Sequence, residues 1–225
     1  MQPVKARARE AVEPVLVRIP SRLRFALGDW HPIVRDPIDL LRLTFPLGAI
    51  AFVIAGDANS ALHCTGCAVV AYLVRLVDPP RRFDLGFLLA LTLEAWGNPL
   101  GLFANVSWFD DFAHMVITSQ AAPLLYLALV RLEVVPDPGA DLHVRHQIAG
   151  IIAITVALGF AIGATFEMYE YVVNQFITHA LGTGYRDTVG DLAFDGLGAL
   201  FGGALLALWT LRRWPTRRKP LRALT

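Results

Sequence analysis

The sequence predicts an all-α fold: a polytopic membrane bundle of six transmembrane helices with both termini cytoplasmic. Three observations lead there. The 225 residues are 55% hydrophobic and only 17% charged, with a mean hydropathy of +0.50, which is too apolar for a soluble domain and too short for two domains. Six apolar stretches, residues 39–57, 60–78, 84–104, 110–132, 147–176 and 187–211, each come near the ~20 residues that cross ~30 Å of hydrocarbon. Finally, every Lys and Arg of the chain except Arg186 lies in or next to a tail or loop on one side of that six-span arrangement. Basic residues concentrate on the cytoplasmic side of membrane proteins, so the pattern sets the orientation and requires an even number of spans.

Taken in order, residues 1–38 form a basic cytoplasmic segment with Lys5, Arg7, Arg9, Arg18, Arg22, Arg24 and Arg35. Apolar residues between these charges favour a short interfacial helix at 21–27, with a disordered basic tail as the alternative. No uninterrupted apolar core with a small-residue cleavage site follows the early charges, so insertion is expected from the internal helices. Residues 39–211 form the transmembrane domain, with Pro79-Pro80, Pro99 and Pro136-Asp137-Pro138-Gly139 at its junctions. Residues 212–225 are a second basic cytoplasmic tail. Trp96, Trp108 and Tyr185 fall near the outer boundary and Trp209 and Trp214 near the inner one, as interfacial aromatic belts do. The net charge of +1 and the lack of a basic stripe interleaved with aromatics argue against nucleic acid as a partner.

Ionisable residues within the spans collect on the outer half, and the cytoplasmic halves are expected to lack matching acids. The fourth span opens with Asp110-Asp111-Phe112-Ala113-His114, so His114 shares a helix face with Asp110 and Asp111. The fifth ends with Glu167 and Glu170 three residues apart. The sixth carries Asp187, Asp191 and Asp195 at i, i+4 and i+8, followed by Gly198, Gly202 and Gly203, where missing side chains let another backbone approach. Glu94 sits mid-membrane or somewhat outward on the third span. Carboxylates facing lipid cost ~2.5–3.5 kcal/mol on insertion scales, so such residues face a bundle interior or watery cavity.

Oxygen ligands in number suit hard cations such as Mg²⁺, Mn²⁺ or Ca²⁺, and His114 beside two acids keeps Zn²⁺ or Fe open. The expected metal ligands are Asp110, Asp111, His114, Glu167, Glu170, Asp187, Asp191 and Asp195. Of these, Asp110, Asp111, His114, Asp187 and Asp191 are also the candidate catalytic residues, with Tyr185 and Arg186 meeting an anionic substrate. The first reading is a metal-dependent hydrolase or transferase acting on a lipid-linked phosphate or lipid headgroup at the outer leaflet. A proton- or cation-coupled transporter or channel element, using Glu94, Asp191 and Asp195, is the second. The third is a structural or lipid-sensing protein whose acids only tie helices together. Cys64 and Cys67, after His63, are read as small packing residues, with a disulfide or soft-metal role left open.

These motifs resemble the VanZ-like group of small bacterial membrane proteins and, more closely, the YjdF-like family. The likeness is carried by Asp110-Asp111-Phe112-Ala113-His114, by Glu167, Glu170 and Gln175, and by Tyr185-Arg186-Asp187 leading into Asp191, Asp195, Gly198 and Gly202. It spans about residues 85–205 and leaves out the first two spans. VanZ-like proteins usually carry Asn where Asp195 stands, a departure that puts an extra charge at that depth. The resemblance implies a multi-pass protein of the bacterial cytoplasmic membrane and supports the site more than any reaction.

Overall fold

The computed structural model describes residues 34, 36–138, 146–176 and 184–218. The interfacial helix expected at 21–27 and most of the basic N-terminal segment lie outside them, as does the end of the basic tail. The described residues are helical, with no strands: α1 Ile38–Ala55, α2 Ala58–Val77, α3 Arg81–Gly97, α4 Leu102–Asn105, α5 Phe109–Arg131, α6 Gln147–Phe176 and α7 Tyr185–Leu211. Five of these, α1, α2, α5, α6 and α7, are long and apolar enough to cross a membrane. The third expected span is where structure and sequence reading part. Residues 84–104 divide into the 17-residue α3, a turn at Gly101 with φ of 68°, and the four-residue α4. Helix α3 already ends at Gly97, the left-handed Gly101 precedes α4, and Arg81, Arg82, Asp84 and Glu94 lower the apolarity of α3.

Local signals explain the helix ends. Gly56, with φ of 76°, closes α1 in the left-handed conformation, and Asp57 caps α2 by accepting from the Ser60 amide at 3.0 Å. Only two residues separate these helices, so they run antiparallel and pack together. The bundle has two groups. Helices α5, α6 and α7 pack tightly on one another, α1, α2 and α3 form the second group, and α2 and α3 join them by packing on α5. Phe45, Cys64, Phe87, Leu88, Leu127 and Leu206 form the fully buried centre of the core. The outside stays apolar: on α1 alone Leu47 is 63%, Val53 68% and Ile54 82% exposed. Water does not tolerate so continuous an apolar surface, whereas hydrocarbon does.

One end of the bundle gathers the start of α1, the α2–α3 turn, the end of α5 and the segment after α7. Here the expectation that this half lacks acids is overturned. Asp39 and Asp84, both fully buried, grip the Arg42 guanidinium from two sides, and Arg42 Nε also donates to the Ala71 carbonyl at 3.0 Å. Arg218 reaches back to pair with Asp84 and with Asp36, the latter at 2.6 Å. Arg81 adds a bond to Asp36 at 2.9 Å. Arg131 donates to the Val77 carbonyl at 3.2 Å and to that of Thr216. Isolated charges at this depth would be costly, and the network compensates each with hydrogen bonds. The signal was present as Asp39 and Arg42 at i, i+3, but only folding brings Asp36 and Asp84 to arginines far along the chain.

Asp36 gives this end a dependence on pH. Burial pushes its carboxyl up, but hydrogen bonds from Arg218 and Arg81 and the Arg218 charge outweigh that and hold it below the usual carboxylate range. A lowered folded-state value adds stability above the unfolded value, ~3.9, that is lost as pH falls through the folded value. The thermal stability of wild type should therefore exceed that of Asp36→Asn by a constant margin above about pH 5, and by a shrinking one below about pH 4. A margin that grows on acidification would contradict the network.

Candidate functional site

The opposite end of the bundle holds the acids and His114. Asp110 and Asp111 occupy the first turn of α5, where the helix dipole favours carboxylates, and the i, i+4 step carries His114 one turn deeper beneath Asp110. On α7 the same step separates Asp191 from Asp195. Whether the two faces meet depends on how closely the helices pack, and the glycines set that. A Cβ on Gly198 would lie 2.1 Å from the Met115 carbonyl oxygen of α5, and one on Gly202 would lie 2.2 Å from that of Ser119. Pro123 has no N–H for the Ser119 carbonyl four residues before it, so that oxygen is left to face the Gly202 backbone. Gly163 on α6 does the same for a side chain: its Cβ would fall 2.0 Å from Asp195 Oδ2.

The result is a histidine held from behind. His114 is 5% exposed, and its Nδ1 lies 3.2 Å from both carboxylate oxygens of Asp195, itself 1% exposed. When the Asp195 carboxylate accepts from the ring, Nδ1 carries the hydrogen, and in the neutral imidazole Nε2 is then the nitrogen left to act as a ligand. Phe166 fixes the ring edge-on at 5.4 Å. Nε2 has no hydrogen-bond partner although it is buried, and Asp110 Oδ1 is 3.9 Å away. Two sets of potential ligand atoms share the His114 imidazole, each set mutually within 4.8 Å: Asp110, His114 and Asp191, and His114, Glu167 and Glu170.

The remaining expected residues divide. Glu167 is half-buried, accepts from Thr188 Oγ1 at 2.7 Å through Oε2, and leaves Oε1 buried without a partner. The Asp111 carboxylate lies over Gly190, whose added Cβ it would meet at 3.7 Å, so it faces α7 and belongs to neither set. Asp195 also lies outside both sets and serves His114 on the far side of the ring. Tyr185, Arg186 and Asp187 stand exposed in the first turn of α7.

Sequence reasoning missed the partner of Glu94. Glu94 Oε1 lies 2.6 Å from Nδ1 of His63 on α2, both side chains being buried. This pair borders an apolar cavity of about 270 Å³ between α2, α3, α5 and α6. Glu94, Ile117, Ile162 and Phe166 line both that cavity and a small one of about 40 Å³ beside His114 and Asp195. The only hint in sequence was that His63 and Glu94 fall at similar depth in neighbouring spans. Cys64 and Cys67 are free and buried, with each thiol directed at an α3 carbonyl, Ala95 and Leu91 respectively, as the packing reading expects.

The model of a family described as predicted membrane protein (DUF2238) matches residues 42–212. The chain belongs to this family. The match takes in α1 and α2, which the likeness to VanZ-like and YjdF-like proteins did not cover, and the DUF2238 description accords with the apolar helices in placing the chain in a membrane. No curated protein and no solved structure matches the chain.

Replacing Gly198 by alanine tests the close approach that builds the site. Helix propensity alone predicts a gain of ~1 kcal/mol, whereas a Cβ driven into a backbone carbonyl predicts a loss of ~1–3 kcal/mol. Thermal unfolding in detergent should show Gly198→Ala destabilised, and Gly190→Ala, which meets only one ordinary contact at 3.7 Å, at or above wild type. Stabilisation by Gly198→Ala would contradict the packing.

Proposed function

We propose that this DUF2238 protein binds a divalent cation at His114 and uses it for chemistry on a phosphate-bearing lipid, as a hydrolase or transferase at the outer face of the bacterial cytoplasmic membrane. The observation that carries this reading is the buried Nε2 of His114, without a hydrogen-bond partner, with the Asp195 carboxylate behind its ring and other carboxylates close to the imidazole. Metal-bound histidines commonly have that support: a carboxylate on the far nitrogen fixes the tautomer and the ring orientation. Asp110 and Asp191 complete the first ligand set with His114, and Glu167 and Glu170 approach the same imidazole from α6.

A cation also answers an electrostatic difficulty. Carboxylates crowded within a few ångströms repel one another, and a phosphate brought to them would be repelled too. A divalent ion held by Asp110, His114 and Asp191 would offset both repulsions and supply Lewis-acid chemistry toward a phosphate, and a neighbouring carboxylate would be placed to take a proton from water. Arg186 and Tyr185, exposed at the start of α7, would meet the anionic headgroup, with Asp111 and Asp187 as further acids of the rim. The apolar cavity that shares Glu94 and Phe166 with the His114 cavity offers space for part of a lipid chain. The orientation belongs to the same proposal: six membrane crossings, α3 included, with the arginine-rich end cytoplasmic by the distribution of Lys and Arg. The likeness to VanZ-like and YjdF-like proteins fits it.

The His63–Glu94 pair favours a second reading, a proton or cation relay running from Asp195 and His114 to Glu94 and His63. Beyond His63 the described acids toward the other end, Asp36, Asp39 and Asp84, are held by arginines, which interrupts such a path.

Elemental analysis should find stoichiometric metal in purified wild type, and both His114→Ala and Asp191→Asn should lose it while keeping wild-type circular dichroism. Asp195→Asn should keep the fold and weaken metal affinity by ~10–100-fold, the usual cost of losing a histidine's supporting carboxylate. No metal in wild type, together with no calorimetric response to Mg²⁺, Mn²⁺ or Zn²⁺, would leave the relay as the better reading. Reporters fused after residue 58 and after residue 106 should both read as external, and cytoplasmic activity at either would overturn the orientation.

A further inference from the structure

A second site lies at the arginine-rich end, on the outside of α3 and α7. Helix α7 stops at Leu211, and Arg213, in the left-handed conformation at φ 52°, turns the chain so that Trp214 folds back on the helix. The Trp214 ring meets that of Trp209 at 4.6 Å and 74°, and Trp209 meets Phe83 of α3 at 5.3 Å and 70°. Trp209 Nε1 donates to the Pro215 carbonyl at 3.0 Å and so closes the turn. Above this aromatic stack stand two exposed arginines, Arg82 with its guanidinium carbon 5.2 Å from the Trp214 ring centre and Arg212 at 5.0 Å. Both line one groove of about 320 Å³, whose floor is Phe83, Leu205, Leu208 and Trp209.

Among the described residues nothing balances the charges of this groove. The nearby carboxylates Asp36 and Asp84 are taken by Arg42, Arg81 and Arg218, and among the described residues neither Arg82 nor Arg212 pairs with an acid. No carboxylate lines the groove. Two like charges beside one indole repel each other, which an anion between or beside them relieves. The floor beneath them is apolar and lies at the end of helices that cross the membrane, so a free anion would match only half of the site.

We propose that the groove between α3 and α7 binds an anionic phospholipid, with its phosphate at Arg82 and Arg212 and its acyl chains along Phe83, Leu205 and Leu208. Basic pockets between helices at the membrane boundary recognise anionic headgroups in this way. The site is separate from His114 and does not depend on the metal.

The test uses the full chain in phosphatidylcholine nanodiscs and reads tryptophan quenching by lipids brominated on their acyl chains. Brominated phosphatidylglycerol should quench wild type well beyond brominated phosphatidylcholine at equal mole fraction, and unlabelled phosphatidylglycerol should reverse it. The preference should fall roughly fivefold for Arg212→Gln and by tenfold or more with Arg82→Gln added, while melting in phosphatidylcholine stays unchanged. Arg213→Gln, which removes an adjacent charge outside the groove, should keep the preference. Equal quenching by the two lipids, an equal loss in Arg213→Gln, or full displacement by inorganic phosphate would each overturn the proposal. If the double variant fails to fold, the single variant decides: an undiminished preference in folded Arg212→Gln would also overturn it.

Discussion

The approach of α7 to α5 governs the candidate site. Gly198 and Gly202 remove the two side chains that would collide with the Met115 and Ser119 carbonyls, and at that separation Asp195 meets His114 instead of lipid. Pro123 contributes from the other helix by leaving the Ser119 carbonyl without its helical donor. Gly163 then lets α6 close over the Asp195 carboxylate. Helix association in a membrane relies on such close packing, because lipid tails are as apolar as leucine and the hydrophobic effect offers little between helices. The acids are thus partnered by the packing rather than tolerated despite it.

The bundle is also polarised. At the arginine-rich end every buried acid has an arginine, and the ion pairs lock the segment after α7 onto the starts of α1 and α3. At the other end acids outnumber cations, and His114 Nε2 and Glu167 Oε1 are buried without a hydrogen-bond partner, as Asn59 Oδ1 and Gln147 Oε1 are elsewhere in the bundle. Buried polar atoms without partners are uncommon and call for an explanation. Under the proposed reading the first end holds the fold and the second holds an ion. Between them, the His63–Glu94 pair is mutually satisfied and borders the apolar cavity.

Much of this was legible in the sequence, for identifiable reasons. The helices were, because apolar runs of about 20 residues leave little choice of structure, and five of the six expected stretches are long apolar helices. The sixth, residues 84–104, is a 17-residue helix followed by a turn and the short α4, a division hidden when hydropathy is averaged across the whole stretch. His114, Asp110 and Asp191 could be named because i, i+4 spacing fixes which residues share a face. The role of Asp195 could not be seen, since spacing says nothing of which side of the His114 ring a carboxylate from another helix will reach. Pairings between distant segments, His63 with Glu94 and Arg218 with Asp36 and Asp84, were invisible for the same reason. They depend on which helices become neighbours, and no single helix carries that information.

The central claim is that the free Nε2 of His114 is a metal ligand. X-ray absorption on zinc-loaded wild type and Asp195→Asn addresses it most directly. The account predicts one imidazole nitrogen at ~2.0–2.1 Å among carboxylate oxygens in wild type, with that scattering lost or disordered in Asp195→Asn. An oxygen-only shell in wild type, or an imidazole contribution that survives His114→Ala unchanged, would contradict it.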